Sequence, residues 1–429
     1  MKLKRRKFIG ISSLAAATGI VTGITACAGN DQTTQKKSLP DNLQSIISDV
    51  VPITLAERKT RIEKAQQLMQ ANKIKALMLD AGTSMNYFTG INWWPSERTM
   101  VAIIPAEGEV SYVCPGFEEG RLRELITFGK NVYAWQEDES PYKLIAGAIK
   151  DAGITNGDIG IEEQTRFFVF DGLRKAATHL NFISGDPVSV PCRMIKSGTE
   201  IALMQKANDI TVAAITIGIK SLVEGMTPAE FEAIVTDAHS KLGATPAFAA
   251  VNFAQASAFP HGSVQPQKLK KGDIVLMDCG CKVEDYCSDI SRTIVFDAEP
   301  TKRQQEIWDL EQQAQRAGFS AAKIGAACEE VDTAARKVIT DSGFGPGYKL
   351  PGLPHRTGHG IGMDVHEWGN AVKGNKQPLM EGMCFSIEPN ISIIGEFGVR
   401  HEDCVYMTAE GPRWFSQPSV SIDQPFEKK

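Results

Sequence analysis

The hydrophobic pattern along the chain changes character near its middle. Residues 55–72 repeat with helical periodicity and are rich in charge. Short β-prone runs follow at residues 76–79, 101–104 and 110–113. They interleave with helical stretches near 117–128, 141–152 and 167–178, which predicts an α/β layer domain over residues 56–190. The boundary falls between Val190-Pro191 and Lys196. Ser197-Gly198-Thr199-Glu200 then has the spacing of a capping box and opens a long amphipathic helix to about residue 223. Thr227-Pro228-Ala229-Glu230 repeats the device, with proline in the first turn of a helix to about residue 242. Further helices are predicted at 302–318 and 329–341, and short strands resume near 383. Helices followed by strands, twice over, predict an α+β domain over residues 197–416, its sheet flooring a site.

One hairpin stands out in that second domain. Residues 274–277 are apolar and β-prone, Gly280 and the polar residues 282–285 mark a turn, and residues 286–296 continue as a second strand. With a turn of four residues, Cys281 faces Tyr286 and Asp278 lies directly opposite Asp289. Opposed side chains on one face sit about 5 Å apart. Two carboxylates that close repel, and both stay ionised only with a cation between them. Taken alone, the pair reads at least as readily as strand-end aspartates on a solvated face.

Composition narrows the field. A chain of 429 residues exceeds one ordinary core, so two domains are expected. It is 42% hydrophobic and 23% charged without a low-complexity tract, which reads as globular. The net charge is −5, but Lys2, Lys4, Arg5, Arg6 and Lys7 belong to a leader. Without those five cations, 41 basic residues face 51 acidic ones, a net charge of −10. An acidic body argues against nucleic acid as a partner.

The leader reads as an address. Lys4-Arg5-Arg6-Lys7 precedes a moderately apolar stretch rich in Ala, Gly, Ser and Thr. The arginine pair before Phe8 and Ile9 resembles a twin-arginine export signal. Ile24-Thr25-Ala26-Cys27 resembles a bacterial lipobox, in which Cys27 is lipidated. An uncleaved anchor is the other reading, since residues 8–26 barely span a bilayer. Either places the body outside the cytoplasm, held at a membrane face. Residues 1–27 are therefore expected as export signal and 28–55 as a flexible tether. The remaining eight cysteines are scattered and partly in strands, which fits buried structural thiols better than a thiolate metal site.

Chemistry-bearing residues converge between 261 and 401, where five of the seven histidines lie. His355, His359 and His366 fall within twelve residues, with Gly358, Gly360 and Gly362 removing bulk around His359. Glu388 ends an apolar run, and Glu402 follows fourteen residues later. Trp93, Trp94 and Arg98 read either as a cap on a neighbouring pocket or as ordinary loop packing.

Together DCGCKVEDYCSD, GHGIGMDVHE, FSIEPN and GVRHED resemble the signature segments of the pita-bread metallopeptidases, specifically Xaa-Pro aminopeptidases and Xaa-Pro dipeptidases (prolidases). The resemblance implies a pita-bread catalytic domain preceded by a smaller creatinase-type α/β domain. Position by position, it implies Asp278, Asp289, His359, Glu388 and Glu402 as ligands of two divalent ions. Four carboxylates and an imidazole suit Mn²⁺ foremost, or Co²⁺, Zn²⁺ and Fe²⁺. It further implies His261 and His366 near the reacting carbonyl, Glu388 as the proton carrier, and a water made nucleophilic between the two ions. His355 is expected to line the pocket for the residue after the scissile bond, with Arg400 close behind the ligands on the substrate side. The implied partner is a proline-containing peptide, and the implied assembly a homodimer or larger homo-oligomer. Twin-arginine signals move folded proteins, so metal loading before export is a further expectation.

Three positions depart from the family pattern. Asp285 stands where Gly precedes Tyr, Ser291 where Thr precedes Arg, and His401 where an aliphatic residue is common. The first two keep turn character and hydroxyl, while His401 adds a polar contact or titrating group. Two other readings use the same fold: a metal-free creatinase-like amidinohydrolase, and a non-catalytic binding module. The intact set of ligand types opposes both. Methionine aminopeptidases resemble the C-terminal half alone.

Overall fold

The computed structural model describes residue 40 and residues 42–426. The leader with Cys27 and the tether up to residue 39 lie outside the described residues. The end of the expected tether is not loose. Leu43, Ile47, Val50 and Ile53 pack on the core, and the Ile46 amide donates to the Leu242 carbonyl at 3.0 Å.

The first domain is a six-stranded sheet with helices on both faces. In chain order it comprises α1 (Leu55–Ala71), β1 (Ile74–Asp80), α2 (Thr83–Thr89), β2 (Val101–Pro105), β3 (Ser111–Pro115), α3 (Glu119–Leu125), β4 (Asn131–Trp135), α4 (Pro141–Asp151), β5 (Asp158–Ile161), α5 (Phe167–Ala176), β6 (Asn181–Ser184) and α6 (Asp186–Met194). The strand order is β4-β3-β2-β1-β5-β6. Central β1 is buried on both sides. Leu77 and Leu79 enter one cluster of core residues while Ala76 and Met78 enter the other. That two-sided burial explains its unbroken apolar run.

The second domain repeats a plan of two helices and then strands. Helices α7 (Gly198–Ser221) and α8 (Pro228–Lys241) back a sheet of β7 (Thr245–Phe253), β8 (Ile274–Val283), β9 (Tyr286–Cys287) and β10 (Ile290–Val295). Helices α9 (Lys302–Ala321) and α10 (Cys328–Asp341) back β11 (Gly358–Gly360), β12 (Glu367–Ala371), β13 (Cys384–Ile387), β16 (Asp403–Thr408) and β17 (Gly411–Trp414), with a separate ribbon of β14 (Asn390–Ile393) and β15 (Phe397–Arg400). The capping boxes expected at Ser197 and Thr227 both form. Each closes two amide donors that a bare helix start would leave open.

The hairpin register differs from the sequence expectation. Glu284 and Asp285 form a two-residue turn, both with left-handed backbone (φ 47° and 67°). Such a turn matches the twist of the flanking strands. Val283 therefore pairs with Tyr286, and Asp278 lies opposite Ser291 rather than Asp289. The shift is two residues, so every side chain keeps its face. The expected continuous strand also breaks at Ser288 and Asp289. There the Ser288 amide donates to Cys281 O, and the Cys281 amide donates to Ser288 Oγ, both at 3.0 Å.

The hairpin tip is gripped by the first domain. Asn86 Nδ2 donates to Asp285 Oδ2 (2.8 Å), Arg61 Nη2 donates to the Tyr286 hydroxyl (3.0 Å), and that hydroxyl donates to Glu200 Oε1 (2.8 Å). The eight described cysteines are free and buried. Among the described residues, no helix is long and apolar enough to cross a membrane.

Candidate metal centre

Three strands and one interstrand break converge on a single point. Asp289 sits in the break between β9 and β10, His359 is the middle residue of β11, Glu388 follows β13, and Glu402 precedes β16. Asp289 Oδ2, Glu388 Oε1 and Glu402 Oε1 lie 3.5, 3.3 and 3.8 Å from His359 Nε2. Strand β11 admits His359 because its neighbours are glycines. A Cβ on Gly358 would strike the Ser386 carbonyl, and one on Gly360 the Trp368 carbonyl.

The imidazole is held in one orientation. Its Nδ1 is 3.1 Å from the Gly360 carbonyl, so Nδ1 carries the proton and the Nε2 lone pair faces the carboxylates. Burial, aided by His366, pushes the His359 pKa down to about 3, so the ring stays neutral. A lone pair aimed at three carboxylate oxygens is repulsive unless a cation lies among them.

The acids carry the same signature. Burial, reinforced by Glu402, Asp278 and Glu388, holds Asp289 well above the usual carboxylate range. Burial and then Glu388 do the same to Glu402. Glu388 is pushed up to about 7, mainly by burial and against the opposing pull of Arg400. Asp278 Oδ1 and Asp289 Oδ1 are buried with no hydrogen-bond partner. Hard oxygen donors, one neutral imidazole and orphaned carboxylate oxygens fit divalent cations.

The remaining expected residues take different places. Asp278 is half-buried on β8, and its Oδ2 accepts from Arg400. Arg400 also donates to Ser291 Oγ (2.9 Å) and the Pro260 carbonyl (3.2 Å). Its guanidinium is thus spent on fixing Asp278 and the hairpin. His355 is half-buried, with Nδ1 2.7 Å from the Arg356 carbonyl, and its buried Nε2 has no partner. Burial lowers its pKa to about 4, with Arg400 and His261 adding to the effect. His366 is exposed, its ring 4.2 Å from that of His359, and His261 is exposed on the loop before β8. Arg98 pairs with Glu137 on the surface (2.9 Å), Arg121 lies over the Trp93 ring, and Trp94 is exposed.

Two site residues escaped sequence reasoning. Ser291 Oγ donates to Glu402 Oε2 at 2.7 Å, which shows why the hydroxyl is kept when threonine is not. Ser386 Oγ accepts from the His359 amide (3.0 Å) and donates to Glu388 Oε1 (3.2 Å), orienting two ligands at once. The S-I-E spacing in FSIEPN carries that signal, since Ser386 and Glu388 share a strand face.

Comparison with known proteins defines the class. Residues 202–409 match the model of metallopeptidase family M24, and residues 61–195 that of the creatinase/prolidase N-terminal domain. The chain is 32% identical over 378 residues to the Xaa-Pro dipeptidase of Lactobacillus delbrueckii subsp. lactis, covering 84% of this chain and 98% of that one. Among solved structures, a recombinant prolidase from Thermococcus sibiricus superposes with a TM-score of 0.77 at 31% identity, over 84% of this chain and 97% of its own. Dipeptidase PepE from Mycobacterium ulcerans gives 0.79 at 29%, over 88% and 100%. The chain belongs to metallopeptidase family M24. It is an enzyme, with a pita-bread catalytic domain behind a creatinase-type N-terminal domain.

Raised carboxylate pKa values set the pH behaviour of the metal-free protein. A carboxyl whose pKa is higher folded than unfolded makes the native state bind more protons, so stability falls as pH rises between the two values. The buried histidines, with lowered pKa values, act in the opposite sense, so the carboxyl effect is read as a difference: with chelator present, the thermal midpoint of the wild type is expected to fall relative to that of Glu388→Gln as pH goes from about 5 to about 7.5. Mn²⁺ at roughly 100 times its Kd should then add about 3 kcal/mol at the higher pH. A difference between the two proteins that stays constant across that range contradicts the assignment.

Proposed function

We propose that this chain hydrolyses the peptide bond preceding proline in short Xaa-Pro peptides, using two divalent ions, manganese foremost. Asp278, Asp289, His359, Glu388 and Glu402 would hold them. The observation that carries the reading is the His359 Nε2 lone pair directed at three buried carboxylates. The names of its relatives, an Xaa-Pro dipeptidase and a prolidase, support the choice of substrate.

When bound, such ions polarise a scissile carbonyl and bring the pKa of water towards about 7. The chain's own groups do the rest. Asp278, 25% exposed, is tied to Arg400, and among the other carboxylates Glu388 keeps 12% side-chain exposure against 6% for Asp289 and 2% for Glu402. It is the ligand with access to an incoming water, takes the proton from it, and delivers that proton to the proline nitrogen as the amide breaks. A tertiary amide nitrogen is a poor leaving group unprotonated, so this delivery is needed. His366 and His261, both exposed, stand where they can donate hydrogen bonds to the oxygen that gains negative charge. His355, with its free Nε2, lines the side that receives the proline ring.

Hydrolysis of Xaa-Pro dipeptides and of longer Xaa-Pro-Xaa peptides, with chelator and after Mn²⁺ is restored, tests the reading. Activity is expected to vanish with chelator and return with Mn²⁺. His366→Ala should lower kcat by about 10²-fold with little change in KM. Turnover indifferent to chelation contradicts it.

The leader supports export and lipid anchoring through Cys27. Fractionated cells are expected to hold the protein in the membrane fraction, and Cys27→Ala to move it to the soluble one. An unchanged distribution overturns the anchor.

A further inference from the structure

A buried polar pair lies behind the metal centre, where α9 meets the chain around Glu402. Side chains alternate along an extended strand, so Glu402 faces the ligands while His401 and Asp403 face α9. Trp308, Glu311 and Gln315, spaced three and four apart, share the face of α9 that receives them. Asp403 is fully engaged, accepting from Arg292 Nη2 (2.7 Å), Gln315 Nε2 (3.1 Å) and Ser416 Oγ.

His401 is placed differently. Its Nε2 lies 3.4 Å from Glu311 Oε2, and both side chains are 0% exposed. The two atoms are in contact without hydrogen-bond geometry, and neither Glu311 oxygen nor that imidazole nitrogen has a hydrogen-bond partner among the described residues. The ring stands edge-on to Trp308 with centroids 4.5 Å apart, and its Nδ1 is 3.5 Å from Ser419 Oγ. Two ionisable side chains buried against each other cost stability that an apolar pair of similar volume would not. A single proton between Oε2 and Nε2 satisfies both atoms.

Other contacts already hold Glu402 from the hairpin side, where its carboxylate accepts from Ser291 Oγ at 2.7 Å. Its backbone exchanges hydrogen bonds with Ser291 at 3.2 Å in both directions, and its carbonyl accepts from Arg292 Nη1 at 3.0 Å. These fix its position along the strand. On the opposite face, the residues on either side, His401 and Asp403, meet Glu311 and Gln315 of α9.

We infer that Glu311 and His401 are a positioning pair whose buried contact, together with the Asp403 contacts, holds the roll of the strand and so backs the Ser291 hydrogen bond in aiming Glu402 at the metal centre. The inference rests on Glu402 being a metal ligand, as proposed above. Nothing in it requires either residue to touch substrate or ion.

Calorimetric titration of the metal-free protein with Mn²⁺, alongside its thermal unfolding midpoint, tests the pair. Glu311→Val and His401→Ile are each expected to weaken Mn²⁺ binding by about 10- to 100-fold and to lower the midpoint. Combining them removes both buried polar groups, so the midpoint should return close to wild type while binding stays at least about tenfold weaker. Glu311→Gln, whose amide can donate to the same Nε2, should bind within about threefold of wild type. A double variant that binds like wild type shows that the pair only fills space, and overturns the inference. So does a Gln variant as weak as Glu311→Val. Should the single variants not fold, the double and the Gln variant decide alone. A wild-type protein that takes up no Mn²⁺ removes the metal centre itself and this inference with it.

Discussion

Mutual repulsion among buried carboxylates is the constraint that the rest of the molecule answers. Asp289, Glu388 and Glu402 meet around one unprotonated imidazole nitrogen, and Asp278 adds its field to each. Left to relax, these groups would move apart or take up protons. The fold prevents the first, and a divalent cation makes the second unnecessary. Site and scaffold are therefore in opposition, with bound metal as the reconciling element.

The scaffold works by fixing short strands from several sides. Serine hydroxyls hold Glu402, His359 and Glu388, and Arg400 holds Asp278. Arg193, almost wholly buried, ties α6 to Asp364 and Glu367 in the loop that carries His366, and Lys196 adds a second tie to Glu367. Asn86, Arg61 and Glu200 clamp the hairpin that bears Asp278 and Asp289. The first domain thus contributes rigidity to a site whose ligands all come from the second.

Much of this was legible in the residues alone. Long helices with capping boxes and the doubly buried β1 announce themselves, because one physical signal dominates each. Strands β4, β5 and β6 were missed, the edge strands β4 and β6 because mixed exposure blurs their pattern and β5 because it is only four residues long. The hairpin register was misread because Glu284-Asp285 lacks the glycine or asparagine that usually marks a two-residue turn. Asp285 occupies a left-handed position where glycine is the family habit, which accounts for that departure. The residues that meet at the candidate metal centre were readable as four spaced motifs. The groups that orient it were not, because Ser291, Ser386 and Glu311 matter only through contacts with residues roughly 2 to 111 positions away. His401 was visible as an oddity, and only its neighbour on α9 gives it a purpose.

The central claim is that this anionic cluster is a seat for a pair of divalent ions. An anomalous-difference map, recorded at the manganese edge from crystals of active enzyme grown with Mn²⁺, tests it most directly. Two peaks are predicted among Asp278, Asp289, His359, Glu388 and Glu402. A map without density there, from protein that still turns over, contradicts the account.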